Sequence, residues 1–269
     1  MRCSSIKLVV LDVDGTLTNS SSHLTEANKE AILQCQEDGV GIVLATGKAQ
    51  HSLRRIFDEL RLEYPQIILS GSLVVDKNLK TIYKLPLQKD IYLSIIDDIY
   101  NADYSTTVAN EGGIFYYNKY VEPLKYFTNS GEIIRQADDL RADFIANDVL
   151  QITLPIPDSD PFDEFIRRKY SGVSRVVRGG PYFLNVNNKS ISKSNALQSI
   201  LKFYGISREE VVAIGDGEND IELLSFAGIG IAMGNANEKV KSIADDVTLD
   251  NDHDGVAAVL NKYILNRPE

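Results

Sequence analysis

The chain has 269 residues, of which 43% are hydrophobic and 25% charged, and a formal net charge of −10. These are the proportions of a soluble globular protein long enough for one large domain or two ordinary ones. The acidic balance argues against nucleic acid or an anionic membrane as a partner, because either needs a basic surface, so any phosphate site must be local. Cys3 and Cys35 are the only cysteines. Cys35 falls among apolar positions of a helical pattern, where a free thiol acts as a small hydrophobe, so a reducing, cytoplasmic setting is expected. The apolar run Leu8 to Leu11 is too short for a signal-peptide core, and no other segment approaches membrane-spanning length.

Taken in chain order, the first eighty residues alternate β-branched runs with amphipathic helices, the rhythm of βαβ units and a parallel sheet. Ile6 to Leu11 reads as a buried strand. Thr25 caps a helix that runs to about Asp38 and stops at Gly39; Gly41 to Ala45 is the next strand, and a helix follows from about Lys48 to Leu60. Gln66 to Leu69 is a further strand, ending at Ser70-Gly71-Ser72. From roughly Leu85 to Val186 the pattern changes to paired strands and longer helices, with turn signals at Gly112-Gly113 and from Pro155 to Pro161. Nine of the thirteen tyrosines fall in this stretch, and packing in the insert's own core is their expected use over an aromatic substrate wall.

The first rhythm then returns. Ser194 to Tyr204 is helical up to Gly205, Ser207 and Glu210 form a capping box, and Val211 to Ile214 is a strand. A helix from about Asp220 to Phe226, a strand Ile229 to Met233 and helices Glu238 to Ala244 and Gly255 to Tyr263 complete the chain. The expected fold is α/β: a Rossmann-like doubly wound parallel sheet core, residues 1–84 and 187–269, with an inserted α+β cap domain at 85–186.

Candidate chemistry sits at the ends of the predicted strands, where open parallel sheets bind ligands. Asp12 and Asp14, followed by Gly15 and Thr16, place two carboxylates close enough to need a cation or a shared proton. Ala45-Thr46-Gly47-Lys48 ends a strand and opens a helix, a place suited to an anion, with a hydroxyl at Thr46. A lysine in a first helical turn opposes the macrodipole, so Lys48 reads either as a ligand-facing charge or, with Thr46 as a simple N-cap, as a solvated one. Lys193 has the same placement, where it could neutralise a phosphoryl group beside Asp12. Gly215-Asp216-Gly217-Glu218-Asn219-Asp220 concentrates three carboxylates and an amide within five residues after a buried strand, a cluster that suits Mg2+. His23, His51 and His253 share no ligand-like spacing, and Asp252-His253-Asp254-Gly255 reads as a loop that caps the last helix. No Walker loop, zinc pattern or Gly-X-Ser-X-Gly elbow competes.

In this order, Asp12-Val13-Asp14-Gly15-Thr16, Ala45-Thr46-Gly47-Lys48, Lys193 and Gly215 to Asp220 resemble the haloacid dehalogenase superfamily of phosphohydrolases. The size and place of the insert, with Ala232-Met233-Gly234-Asn235-Ala236, resemble its Cof-type branch with a large type-two cap. The resemblance implies a phosphatase of small phosphorylated metabolites that works through an aspartyl phosphate, as a monomer or weak homodimer. Asp12 would attack phosphorus; Asp14 would protonate the leaving alkoxide and then activate water. It also implies Mg2+ held by Asp12, the Asp14 backbone carbonyl and Asp216, with Thr46, Gly47, Lys48, Lys193 and Asn219 around the phosphoryl group and Asp220 behind them as a support.

Two positions depart from the pattern. The family usually carries arginine where Lys48 stands, so bidentate contacts are lost there, and Asn-Gly-Ala where this chain has Ser70-Gly71-Ser72. Substrate selectivity is expected from the cap, with Glu111, Gly112 and Gly113 as rim candidates. A dehalogenase would not need Asp14. A phosphomutase shares both aspartates, and a phosphate-responsive binding protein related to receiver domains would lack the insert.

Overall fold

Leu8–Leu11 is a run of four buried apolar residues and forms an interior strand of a five-stranded parallel sheet. The strand order is Asp246–Val247, Ile229–Ala232, Val211–Gly215, Leu8–Leu11, Gly41–Leu44. A strand covered on both faces reads as continuous hydrophobic sequence rather than as alternation, which is how these segments read. The structure is a computed structural model that describes residues 6–119, 122–129, 131–144, 148–179 and 181–265. Cys3 lies outside the described residues, whereas Cys35 is buried and free.

Two compact units divide the chain. The first draws on Met1–Thr46, Arg54–Ile82 and Ser192–Glu269, the second on Gly47–Leu53 and Tyr83–Ile191. In the first, Leu8, Val10, Val43, Ala213 and Ala232 from the sheet pack with Ala196, Leu197, Ile200 and Leu201 from the helix Lys193–Tyr204. That helix ends at Gly205 in the left-handed conformation, as the sequence predicts, and Ser207 and Glu210 form their capping box. The helix Glu26–Glu37 starts at Thr25, whose hydroxyl accepts the N–H of Asn28.

The structure departs from the sequence reading in five local ways. Gln66–Ile68 continues the parallel sheet only through a bridge from Ile67 to Ala45, and it pairs antiparallel with Leu73–Val75. Thr81–Lys84 extends that small sheet, a three-strand unit too short to leave a periodic signal. Asp246–Val247 is an edge strand of two residues that the sequence reading misses. The helix predicted from about Lys48 starts at Gln50. Finally, the last helix, Gly255–Leu260, receives no side-chain cap from its own loop. Asn28 supplies one instead: its Oδ1 accepts the N–H of Ala257 at 2.9 Å while its Nδ2 donates to the Leu17 carbonyl at 3.3 Å.

In the second unit a six-stranded sheet carries helices packed on a core that includes Val108, Ile152, Leu154, Leu184 and Val186. Its strand Leu184–Asn188 pairs with Gln151–Leu154 and Ser174–Arg178, so sheet structure runs past the sequence-derived boundary at 186. Tyr92 and Tyr170 are buried in that core, and Tyr100, Tyr104 and Tyr117 pack against it. Glu111 and Gly112 turn a hairpin between Thr106–Asn110 and Gly113–Tyr117, with Asn110 accepting the Gly112 N–H at 2.7 Å and Glu111 pairing with Lys84 at 2.6 Å. Among the described residues, no helix is long and apolar enough to cross a membrane.

Asn28 is fully buried, so Asn28→Ala would strand both an N–H and a carbonyl. A loss of about 2 kcal/mol is expected from urea unfolding; an unchanged midpoint and slope would show that the cap contributes nothing.

Candidate active site

Register assembles the site. Leu11 pairs with Ile214 on one side and Leu44 on the other, so the residues that follow each strand emerge side by side at the carboxyl edge. The Asp12 N–H donates to the Ile214 carbonyl at 3.0 Å, and the Ala45 N–H donates to the Leu11 carbonyl at 2.8 Å. Three segments far apart in sequence therefore meet: Asp12 to Thr16, Ala45-Thr46 and Gly215 to Asp220.

Lys193 enters from the first position of its helix, which Ser192 caps by accepting the Asn195 N–H at 3.0 Å. Its ammonium donates to Asp12 Oδ1 and to Asp220 Oδ1, both at 2.6 Å. Lys193 is 2% exposed and Asp220 is fully buried. The second oxygen of Asp220 accepts the N–H groups of Asp216 and Gly217 at 3.2 and 2.9 Å, so one carboxylate holds both the lysine and the loop that carries Asp216.

Asp216 is held from the other side. Thr16 Oγ1 donates to its Oδ1 at 2.8 Å. Gly15 has φ +77°, and a Cβ there would lie 2.5 Å from Asp216 Oδ2, so only glycine allows this approach. Asn235 Nδ2 donates to the Gly15 carbonyl at 2.9 Å, and its Oδ1 accepts the Asn251 N–H at 3.1 Å. Asn251 Nδ2 in turn donates to the Thr18 carbonyl at 3.0 Å. Sequence reasoning took Thr16 only as part of a tight loop and assigned no role to Asn235 or Asn251, although Thr16 and Asn235 lie inside the motifs it singled out.

The other candidates are placed as follows. Asp14 is half-buried and bridges to Thr18. Thr46 is buried, with its N–H on the Ile67 carbonyl at 2.9 Å. The Asn219 side chain lies over Gly217, where a Cβ would come within 2.2 Å of its Oδ1. Gly47 and Lys48 group with the second unit, in which the Lys48 ammonium stands 5.3 Å from the centroid of the Tyr126 ring. Because the helix begins only at Gln50, Lys48 precedes its first turn, and the macrodipole argument made for it does not hold. His253 pairs with Asp250 at 2.6 Å, and among the described residues the only metal-ligating group of three joins Asp12, Asp216 and Asp220.

Electrostatics mark this group as a cation site. Burial pushes the Asp12 carboxyl well above its ordinary range, against the pull of Lys193. Burial and the nearby Asp220 charge raise Asp216 to about 6. Burial works to lower Lys193, but the Asp12 and Asp220 carboxylates overcome it and hold the ammonium above the usual lysine range. Three carboxylates against one ammonium leave excess negative charge in a buried place. Their oxygens lie within 4.8 Å of one another, and an all-oxygen donor set of this charge fits Mg2+.

A parallel sheet with acids and a lysine at its carboxyl edge, joined to a second α+β unit, defines an enzyme that handles phosphate esters. The chain belongs to the haloacid dehalogenase-like hydrolases, whose family model matches residues 9–260. It is similar to two 5-amino-6-(5-phospho-D-ribitylamino)uracil phosphatases of Bacillus subtilis, at 29% identity over 97% of this chain and 96% of the relative, and at 28% over 95% and 97%. A haloacid dehalogenase-like hydrolase from Bacteroides thetaiotaomicron superposes with a TM-score of 0.87 at 31% identity, covering 96% of this chain and 99% of that one. The protein is a Cof-type, magnesium-dependent phosphatase of small phosphorylated metabolites.

A pH dependence follows from the raised carboxyls. In metal-free protein the folded state favours protonated Asp216, so its contribution to stability is complete below the unfolded carboxylate range near pH 4 and is lost as pH rises through about 6. Asp12 acts in the same direction. The rise in melting temperature produced by Mg2+ over EDTA is expected to be larger near pH 7 than near pH 5. An Mg2+ effect equal at both values would contradict the assignment.

Proposed function

We propose that the protein hydrolyses phosphate monoesters through a covalent phosphate on Asp12. The observation that carries this reading is the Lys193 bridge, which holds one Asp12 oxygen at 2.6 Å and leaves the carboxylate fixed at the mouth of the sheet. In the first step the free Asp12 oxygen attacks phosphorus as the bond to the leaving alkoxide breaks, and Asp14 gives that alkoxide a proton. In the second, Asp14 takes a proton from water, the water oxygen attacks phosphorus, and the bond to Asp12 breaks to release inorganic phosphate. Lys193 and the Thr46 hydroxyl hold phosphoryl oxygens, Gly47, Lys48 and Asn219 assist, and Asp220 fixes the direction of the Lys193 ammonium.

Mg2+ supplies positive charge to the transferring group when bound, and the Asp12 carboxylate, the Asp14 backbone carbonyl and the Asp216 carboxylate would hold it. Asp220 belongs to the same carboxylate group by distance, but both of its oxygens already accept hydrogen bonds. This supports a positioning role for Asp220 instead.

The similarity to the ribitylaminouracil phosphatases supports a phosphorylated small molecule with a polyol chain or a planar ring as substrate. Residues 85–186, the proposed cap, would set the choice of substrate, in a cytoplasmic monomer or weak homodimer. A panel of ribityl, sugar, pyridoxal and flavin phosphates, assayed with Mg2+ and with EDTA, is expected to show metal-dependent release of phosphate with preference for one of these classes. Asp12→Asn is expected to lower kcat by about a thousandfold or more, because the amide is a poor nucleophile. Full turnover by this variant would disprove the covalent route.

A further inference from the structure

The turn Leu69–Gly71 is built at a cost that the fold alone does not explain. Leu69, Ser70 and Gly71 have φ values of 47°, 58° and 101°, three consecutive residues in the left-handed region. For the two that carry a Cβ, this conformation costs about 1–2 kcal/mol each. Strain of that kind persists only where the surroundings hold it, and it concentrates where a site needs a particular geometry.

What holds the turn is the machinery of the phosphate site. The Ser70 N–H donates to the Thr46 carbonyl at 2.9 Å, while the Thr46 N–H donates to the Ile67 carbonyl at 2.9 Å. Thr46 is thus gripped at both backbone ends by residues 67–70. On the other side, a Cβ at Gly71 would stand 2.5 Å from the Ser192 carbonyl oxygen and 3.3 Å from the Lys193 nitrogen. The Gly71 backbone therefore lies directly against the cap of the helix whose first residue is Lys193. One short turn touches both residues assigned to phosphoryl oxygens, although the two lie far apart in sequence.

We infer that Leu69–Gly71 is a positioning strut that sets the spacing of Thr46 and Lys193, and so the fit of the site to a phosphoryl group in its transition state. Its backbone acts through Thr46 and Lys193 and does not itself touch substrate. The left-handed conformation lets the Ser70 N–H reach Thr46 while the bare Gly71 backbone admits the helix start. A relaxed turn would lose one contact or the other. The inference rests on the proposed roles of Thr46 and Lys193.

The test uses orthovanadate with Mg2+ as a probe of the phosphoryl site, measured as an inhibition constant beside kcat and melting temperature. Gly71→Ala is expected to weaken vanadate inhibition and lower kcat by about tenfold or more, since small misplacement of positioning groups is costly. Ser70→Val, which makes the left-handed conformation at position 70 harder because the side chain is β-branched, is expected to shift both in the same direction by a smaller factor. A purely structural turn would lower the melting temperature and leave the vanadate constant of the folded enzyme unchanged. Wild-type vanadate inhibition in folded Gly71→Ala overturns the strut; if that variant does not fold, the same result in Ser70→Val overturns it. Lys193→Met separates the two claims: if it keeps wild-type vanadate inhibition, the phosphate role of Lys193 is wrong, whereas loss there with none in the turn variants rejects the strut alone.

Discussion

A single buried ammonium organises this protein's working edge. Lys193 lies between Asp12 and Asp220 with both contacts at 2.6 Å and almost no exposure. Taking these groups out of water costs several kcal/mol per ion, and breaking such a pair by removing one partner costs about 3–5 kcal/mol. The arrangement is thus poor value as a stabilising device and makes sense as preorganisation. It keeps the Asp12 carboxylate, the ammonium and the Asp220 carboxylate in one geometry before any phosphate arrives.

Everything near the lysine serves that geometry. Asp220 spends its second oxygen on the loop of Asp216, Thr16 holds Asp216 from the opposite side, and Gly15 makes room for it. Asn235 and Asn251 then fix the loop from Gly15 to Thr18 from the rear. The outer contacts are neutral hydrogen bonds, while the charges are confined to the centre. Such a layout concentrates the electrostatic strain where a divalent cation can relieve it.

The central residues were legible in the sequence because each follows a buried strand or opens a helix, and a parallel sheet aligns those positions by register. Asp12, Lys193, Asp216 and Asp220 meet as that logic requires. Lys48 shows where it fails: the helix starts two residues later than the amphipathic pattern implies, and helix starts depend on local capping rather than on periodicity. The strands Leu73–Val75 and Asp246–Val247 were missed because two or three residues cannot display a period. The cap that Asn28 gives to Ala257 joins positions 229 residues apart, a contact that no local pattern encodes. Ser70-Gly71-Ser72 was visible in the sequence as a strand end and as a departure from the family pattern, whereas the left-handed run Leu69–Gly71 against Thr46 and Ser192 is a backbone property that side-chain patterns do not encode.

The covalent role of Asp12 is the centre of the account. The most direct test quenches the enzyme in acid during steady turnover with Mg2+ and a good phosphate ester, reduces it with borohydride, and maps the peptides by mass spectrometry. An acyl phosphate on Asp12 is reduced to homoserine at that position, and this is the predicted result. Unmodified Asp12 under conditions where phosphate is being released, or homoserine at Asp14, Asp216 or Asp220 instead, would contradict it.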